Sequence, residues 1–331
     1  MRTFNHFEAR SIDEVCELLG KYKGSAMINA GGTDLLSVLK GDILFSYPEA
    51  IINIKTIPNL NYIQEDGNEL RIGALARLSD IANSPIIKKR CGVLNEAALS
   101  VGSPQIRNVA TIAGNLCQDS RCWYYRYPRH IGGPIQCLRK GKGPCLAVKG
   151  DNRYHAILDG KKCFSVCPSD TAVALTALDA SLTIVGLKGE RSIGVKDFYH
   201  HLGNVLEVDE MVKEIRIPKS PSPNVQKYLK FTLRKPIDFA IVSVAALVGL
   251  KKNKCIDSRI VLGAVAPMPY RAEAAEETIK GRAITKSLAA KAAEKALESA
   301  KPLSMNAYKI EIARTLVKKV IMEFGETSSH I

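Results

Sequence analysis

The side chains best suited to chemistry in this sequence are thiols. Six of the nine cysteines, Cys117, Cys122, Cys137, Cys145, Cys163 and Cys167, fall between Thr111 and Asp170. Cys122, Cys137, Cys145 and Cys163 are separated by 14, 7 and 17 residues. Thiolates spaced this way suit an iron–sulfur cluster or zinc, with unused thiols as the alternative. The tight C-x-x-C knuckle of most structural zinc sites is absent. Four thiols in a basic loop broken by Gly132, Gly133, Pro134, Gly141, Gly143 and Pro144 are many to leave unused, because exposed thiols oxidise. Cys117 and Cys167 flank the four and read as packing residues, as do Cys16 and Cys91 on predicted helices.

Ten Lys or Arg lie from Arg121 to Lys162, against only Asp151 and Asp159, so eight of the net +14 charges are local to this loop. Such a field suits an acidic redox partner or an anionic cluster, or is simply a solvated surface. Trp123, Tyr124 and Tyr125 beside Cys122 wall a cluster from water or merely pack. The six histidines, His6, His130, His155, His200, His201 and His330, show no ligand or triad spacing and read as surface or loop residues. No Ser-His-Asp set, G-x-S-x-G turn or substrate acid–base pair occurs. The expectation is a chain that moves electrons and carries no catalytic residue of its own.

A second feature is Ala30-Gly31-Gly32-Thr33-Asp34-Leu35 between a predicted strand and a predicted helix. Small residues there let backbone N–H groups approach a phosphate, and the helix dipole favours the anion. The order is not the dinucleotide fingerprint G-x-G-x-x-G. Gln105 to Asn115 supplies a second small, polar turn, and two such loops can embrace one pyrophosphate.

These features need elements to position them. Ser11 and Glu14 form a capping box for a helix to about Tyr22. Ser25 to Asn29 reads as a buried strand, followed by a helix to about Lys40 and a strand from Ala50 to Lys55. Leu70 to Ala76, Ser181 to Val185 and Glu210 to Ile217 read as strands; Leu78 to Asn83, Cys91 to Val101 and Thr171 to Leu178 read as helices. Pro218, Pro221 and Pro223 mark a linker. Tyr228 to Leu233, Ala240 to Leu250 and Ser258 to Ala266 fit an antiparallel sheet. Helices follow over Arg271 to about Ser299 and Asn306 to Glu323.

At 331 residues the chain suits two or three modules. No apolar run is long enough to span a membrane, and the N-terminus lacks a signal core, so a cytoplasmic protein with reduced thiols is expected. No nucleic-acid-binding signature accompanies the positive charge.

Taken together, INAGGTDLL, QIRNVATIAGN, PSD and YLKFTLRKPIDFAIVSVAA resemble the FAD-binding medium subunit of the xanthine oxidase family of molybdenum hydroxylases, over nearly the whole chain. The four-cysteine loop, absent from most members, is similar to that of the 4-hydroxybenzoyl-CoA reductase β subunit and of the FAD subunit of a periplasmic-type aldehyde oxidoreductase. NLCQDSRCWYY, with Cys117 and Asp119, is nearer the reductase pattern.

The resemblance implies an α+β fold. Residues 1–55 form a small α/β FAD-binding unit, and 56–222 a mixed α+β unit carrying the loop at about 117–167. Residues 223–331 form a three-stranded antiparallel sheet with helices. It implies FAD bound by Ile28, Asn29, Ala30, Gly31, Gly32, Thr33, Asp34, Leu35 and Leu36, and by Ala110, Thr111, Ile112, Ala113 and Gly114. Val101, Asp170, Val212 and Lys230 line the rest. Val101 stands where some relatives stack an aromatic residue on the flavin. It implies a [4Fe-4S] cluster on Cys122, Cys137, Cys145 and Cys163. Implied partners are a small [2Fe-2S] subunit and a large molybdenum-cofactor subunit in a dimer of heterotrimers, with an acidic ferredoxin as donor. The implied reaction is reductive dehydroxylation of an aromatic CoA thioester. The alternatives are an aldehyde or purine dehydrogenase, or a zinc- and nucleotide-binding protein without activity.

Overall fold

The computed structural model describes residues 1–220, 224–234, 237–252 and 254–327. The N-terminal unit is a parallel sheet of β1 (Asn5–Glu8), β2 (Ala26–Asn29) and β3 (Ala50–Asn53), in the order β1-β3-β2. The apolar β3 takes the buried centre. Helix Ile12–Tyr22 connects β1 to β2 and buries Val15, Cys16 and Leu19. Its start keeps half of the predicted box: Ser11 Oγ accepts the Glu14 N–H at 3.2 Å, while Glu14 Oε2 accepts the N–H of Arg10, one residue before the cap, at 2.8 Å. β2 is only half-buried, because it is an edge strand whose residues Ala26, Met27 and Ile28 face a cavity.

The second unit contains β4 (Ile63–Asp66), β5 (Glu69–Gly73), β6 (Ser181–Gly186), β7 (Gly189–Gly194), a ribbon of β8 (Tyr199–His200) with β9 (Gly203–Asn204), and β10 (Met211–Pro218). Its main sheet is antiparallel, ordered β4-β5-β10-β6-β7. Helices Leu78–Asn83, Gly92–Leu99, Ile112–Cys117 and Asp170–Ala177 share a core with β5, β6 and β10. Cys91 lies in this core, as expected for a packing residue.

On β10, Glu214 is buried and receives hydrogen bonds from Tyr62, from Arg71 at 2.7 Å and from Arg216 at 2.7 Å. Burial opposes its charge, but those donors outweigh it and hold the carboxyl below its ordinary value. A depressed carboxylate contributes stability that is present above the unfolded pKa and lost as pH falls through the folded one. Glu214→Gln is therefore expected to flatten the acid limb of stability below about pH 4.5, as read by urea unfolding at stepped pH. An unchanged acid limb contradicts this.

The C-terminal unit pairs β11 (Val225–Phe231), β12 (Val242–Lys251), β13 (Lys254–Gly263) and β14 (Tyr270–Arg271) antiparallel in that order. The two-residue β14 makes four strands where three were expected; it is too short to leave a periodic signal. β12 is apolar on both faces for a reason. Val242, Val244, Ala246 and Val248 pack toward helices Glu273–Ile279, Lys286–Lys295 and Tyr308–Thr327. Ala245 and Leu247 pack into the core of the second unit. Pro221 and Pro223 of the expected linker lie outside the described residues.

From Gln118 to Pro168 the only regular structure is three single-turn 3₁₀ helices, Arg129–Ile131, Leu138–Lys140 and Leu146–Val148. The expected loop is thus present, and contacts with the C-terminal unit tie it down. Ile157 and Leu158 insert into the C-terminal core, and their N–H groups bond to the Val265 carbonyl at 2.8 and 3.0 Å. Burying such side chains contributes about 1.5–3 kcal/mol each. Asn306 Nδ2 reaches the His155 and Ala156 carbonyls, and Asn152 bridges to Ser304 and Met305.

Candidate functional site

Two cavities meet at this loop. The larger, of about 860 Å³, runs between the N-terminal sheet, the segment from Val101 to Asp119, β10 and β11. Every residue expected to hold FAD lines it except Asn29, Leu36 and Ile112. Ile112 is core and Leu36 is largely exposed. Asn29 sits just behind the turn, with a buried Oδ1 that lacks a partner.

Sequence explains how the two expected phosphate loops come together. A Cβ built at Gly31 would lie 2.1 Å from the Val109 carbonyl oxygen, so only glycine lets them touch. Gly32 has a φ of +72°, a backbone state that L side chains rarely adopt. Thr111 caps helix Ile112–Cys117, its Oγ1 accepting the Gly114 N–H at 3.2 Å. The small-residue cradle and a cavity of about 860 Å³ fit a dinucleotide such as FAD.

Asp34 has a further role. It makes no helix-capping bond; its carboxylate accepts the Asp119 N–H at 2.9 Å and pairs with Arg121 and Arg126, each at 2.7 Å. It thereby latches the glycine turn to the cysteine loop. Asp170, expected near the cofactor, starts helix Asp170–Ala177 and is 5% exposed. It accepts hydrogen bonds from Tyr228 Oη at 2.6 Å and Lys230 Nζ at 2.7 Å, and Lys230 also bonds to the Ser100 carbonyl at 2.9 Å. Burial and the Asp170 charge push the Tyr228 phenol well above its ordinary value, so it stays a donor. Breaking a buried pair from one side strands the other charge. Lys230→Met is expected to cost about 3–5 kcal/mol, measured by denaturant unfolding of the FAD-saturated protein. A loss below about 1 kcal/mol, the scale of a surface pair, contradicts this.

The smaller cavity is lined by Cys122, Cys137, Cys145 and Cys163 together. None is in a disulfide. Cys137 and Cys145 stand at the starts of two of the 3₁₀ turns, which fold the loop around the cavity. Cys117 and Cys167 line the larger cavity instead and pack against the second unit's core. Burial pushes their thiols up to about 12 and about 11. Tyr124 and Tyr125 wall the small cavity; Trp123 stands edge-on to Tyr124, Tyr154 and His155 and bonds to the Asp151 carbonyl.

His155 is a loop residue, as expected, but not an exposed one: it is 3% exposed, with Nε2 3.3 Å from Cys122 Sγ. Burial, with Lys309 nearby, lowers its pKa to about 4, so it is neutral beside the thiol. Its sequence separation of 33 residues carried no signal. The loop's positive field is also smaller than its count. Arg121, Arg126, Arg129, Arg139 and Arg153 pair with Asp34, Asp42, Asp119 or Asp151. Lys142, Lys149, Lys161 and Lys162 remain as exposed cations.

The donor set is four thiols with Arg139 and Lys162 on the same wall, which suits an anionic iron–sulfur cluster. Among the described residues no three His, Cys, Asp or Glu side chains gather closely enough to hold a single ion.

The two-loop cradle is that of a dinucleotide-binding chain, with a pocket lined by four thiols beside it. Residues 2–220 match the model of the FAD binding domain in molybdopterin dehydrogenase, and 227–324 that of the CO dehydrogenase flavoprotein C-terminal domain. The chain belongs to this family of FAD-binding subunits of molybdenum hydroxylases, and as such is a subunit of an oxidoreductase. It is 33% identical to the aldehyde oxidoreductase FAD-binding subunit of Escherichia coli K12, over 98% of both chains. It is 29% identical to the carbon monoxide dehydrogenase medium chain of Hydrogenophaga pseudoflava, over 96% of both. A solved structure of carbon monoxide dehydrogenase from that organism has a chain that superposes over 98% of both chains, with a TM-score of 0.78 at 27% identity. Among the described residues, no helix is long and apolar enough to cross a membrane.

Proposed function

We propose that this chain holds FAD in the larger cavity and a [4Fe-4S] cluster in the smaller one, and relays electrons for a molybdenum-dependent oxidoreductase. The observation that carries this is the convergence of Cys122, Cys137, Cys145 and Cys163 on one cavity sharing a wall with the flavin-sized one. Bound there, the two groups supply two-electron and one-electron exchange respectively. The chain's own residues do the rest. Gly31, Gly32 and the Ala110–Gly114 turn hold the pyrophosphate, Asp170 and Lys230 fix the far wall, and Val101 and Val212 give apolar contact. The domain division is 1–55, 56–222 and 223–331.

Partners are a small [2Fe-2S] subunit and a large molybdenum-cofactor subunit that carries the substrate site. For the reaction, the full-length likeness to an aldehyde oxidoreductase subunit favours oxidation of an aldehyde. The second reading is reductive dehydroxylation of an aromatic CoA thioester in the manner of 4-hydroxybenzoyl-CoA reductase, favoured by Cys117 and Asp119 in NLCQDSRCWYY. In that direction an acidic ferredoxin docks on Lys142, Lys149, Lys161 and Lys162. Turnover of the purified holoenzyme separates the two. Aldehydes reducing the flavin under anoxia support the first. Thioester reduction by ferredoxin, slowing as salt rises, supports the second. Flavin that neither reductant reaches contradicts both.

A further inference from the structure

The two cavities share part of their lining. Tyr125 and Arg139 line both. Asp119, which lines only the larger, fixes them in place: it accepts the Tyr125 hydroxyl and takes Arg139 Nε at 3.1 Å and Nη2 at 2.8 Å. The Arg139 guanidinium carbon lies 5.6 Å from the Tyr125 ring centre and Lys140 Nζ 5.2 Å from it, so the ring is held by cations. Tyr125 is 6% exposed. The wall is fastened to the glycine turn through the Asp119 N–H and Asp34.

We propose that Tyr125, Arg139 and Asp119 form the partition that electrons cross between the two cavities, and that Arg139 and Asp119 are positioning residues whose opposed charges set the relative potentials on its two sides. This rests on the four-cysteine reading above. An electron crossing the wall makes and breaks no bond in it; it moves one negative charge from the cysteine side to the flavin side, or back. In a partly buried wall, with Arg139 13% and Asp119 31% exposed, a fixed charge acts more strongly on such a transfer than it does in water. Arg139 faces the cysteine pocket and stabilises added negative charge there, as nearby cations do for iron–sulfur centres. Asp119 stands on the flavin side and opposes it.

The test is a redox titration of the purified full chain, following the iron–sulfur signal by electron paramagnetic resonance and the flavin by absorbance. Arg139→Gln is expected to move the iron–sulfur midpoint to more negative potential. Arg139→Lys should restore it, and Asp119→Asn should move it the other way. Arg153→Gln, which removes an exposed charge paired with Asp151, should leave it in place. Opposite signs from the two partners are what a mere folding defect cannot produce. Iron-replete variants whose midpoints stay put, or move in the same direction, overturn this inference alone. A wild-type chain without iron overturns the four-cysteine reading and this one with it.

Discussion

Cys137→Ser is expected to take the iron content from about four per chain to below one, with loss of the broad absorbance near roughly 400 nm that iron–sulfur charge transfer gives. Cys137 is 7% exposed, between the 3₁₀ turn it begins and the side chains of Val38, Ile43 and Tyr125. A serine there packs as well but supplies a poor ligand for iron. Flavin content should hold, because the cradle at Gly31 and Gly32 and the Asp34 latch use none of the four thiols. Cys122→Ser, Cys145→Ser and Cys163→Ser should behave alike, since all four line one pocket. Cys117→Ser and Cys167→Ser are the contrast: they should keep iron and lose about 1–3 kcal/mol of stability from burying a hydroxyl. Iron, sulfide and flavin assays on the six variants read this out. Full iron in Cys137→Ser, or iron lost from Cys117→Ser, would assign the ligands differently.

Gly31→Ala is expected to act on the flavin and leave the iron. The added methyl would meet the Val109 carbonyl at 2.1 Å, a contact no rotamer relieves because both partners are backbone. The two loops must part, and an overpacked contact of this kind costs about 1–3 kcal/mol. If that strain falls on the bound state, flavin affinity drops roughly 5- to 150-fold. Gly67→Ala serves as a control, since nothing lies within 4 Å of its Cβ; its φ of +58° confines the cost to local backbone strain. Fluorescence titration of the apoprotein with FAD measures both. Equal affinity in Gly31→Ala and wild type would mean the two loops do not close on the cofactor.

What was readable in advance follows from how local each signal is. The helix from Ile12 rests on Ser11 and Glu14 three residues apart, and the Ser11 half of the cap forms as read. Helix Leu78–Asn83 and the long C-terminal strands were equally plain in their apolar periods. The parallel pairing of β1 with β3 was not, because Asn5–Glu8 is four residues of mixed polarity whose partner is distant in sequence. Cys117 and Cys167 could be set aside as packing residues from the apolar and proline neighbours in sequence. His155 beside Cys122, Asp34 tying down Arg121 and Arg126, and Asn152 holding the loop to the C-terminal unit join residues between 33 and 153 positions apart. Such pairings leave no periodic trace. The same holds for the loop's charge: ten cations are visible in sequence, but which of them meet a carboxylate is decided only by the fold.

Purification under anoxia followed by metal, sulfide and flavin analysis tests the central claim most directly. The expected result is about four irons, about four sulfides and about one FAD per chain. Flavin without iron, or zinc in its place, would leave the four thiols as a structural pocket and the chain as a flavoprotein with no second redox centre.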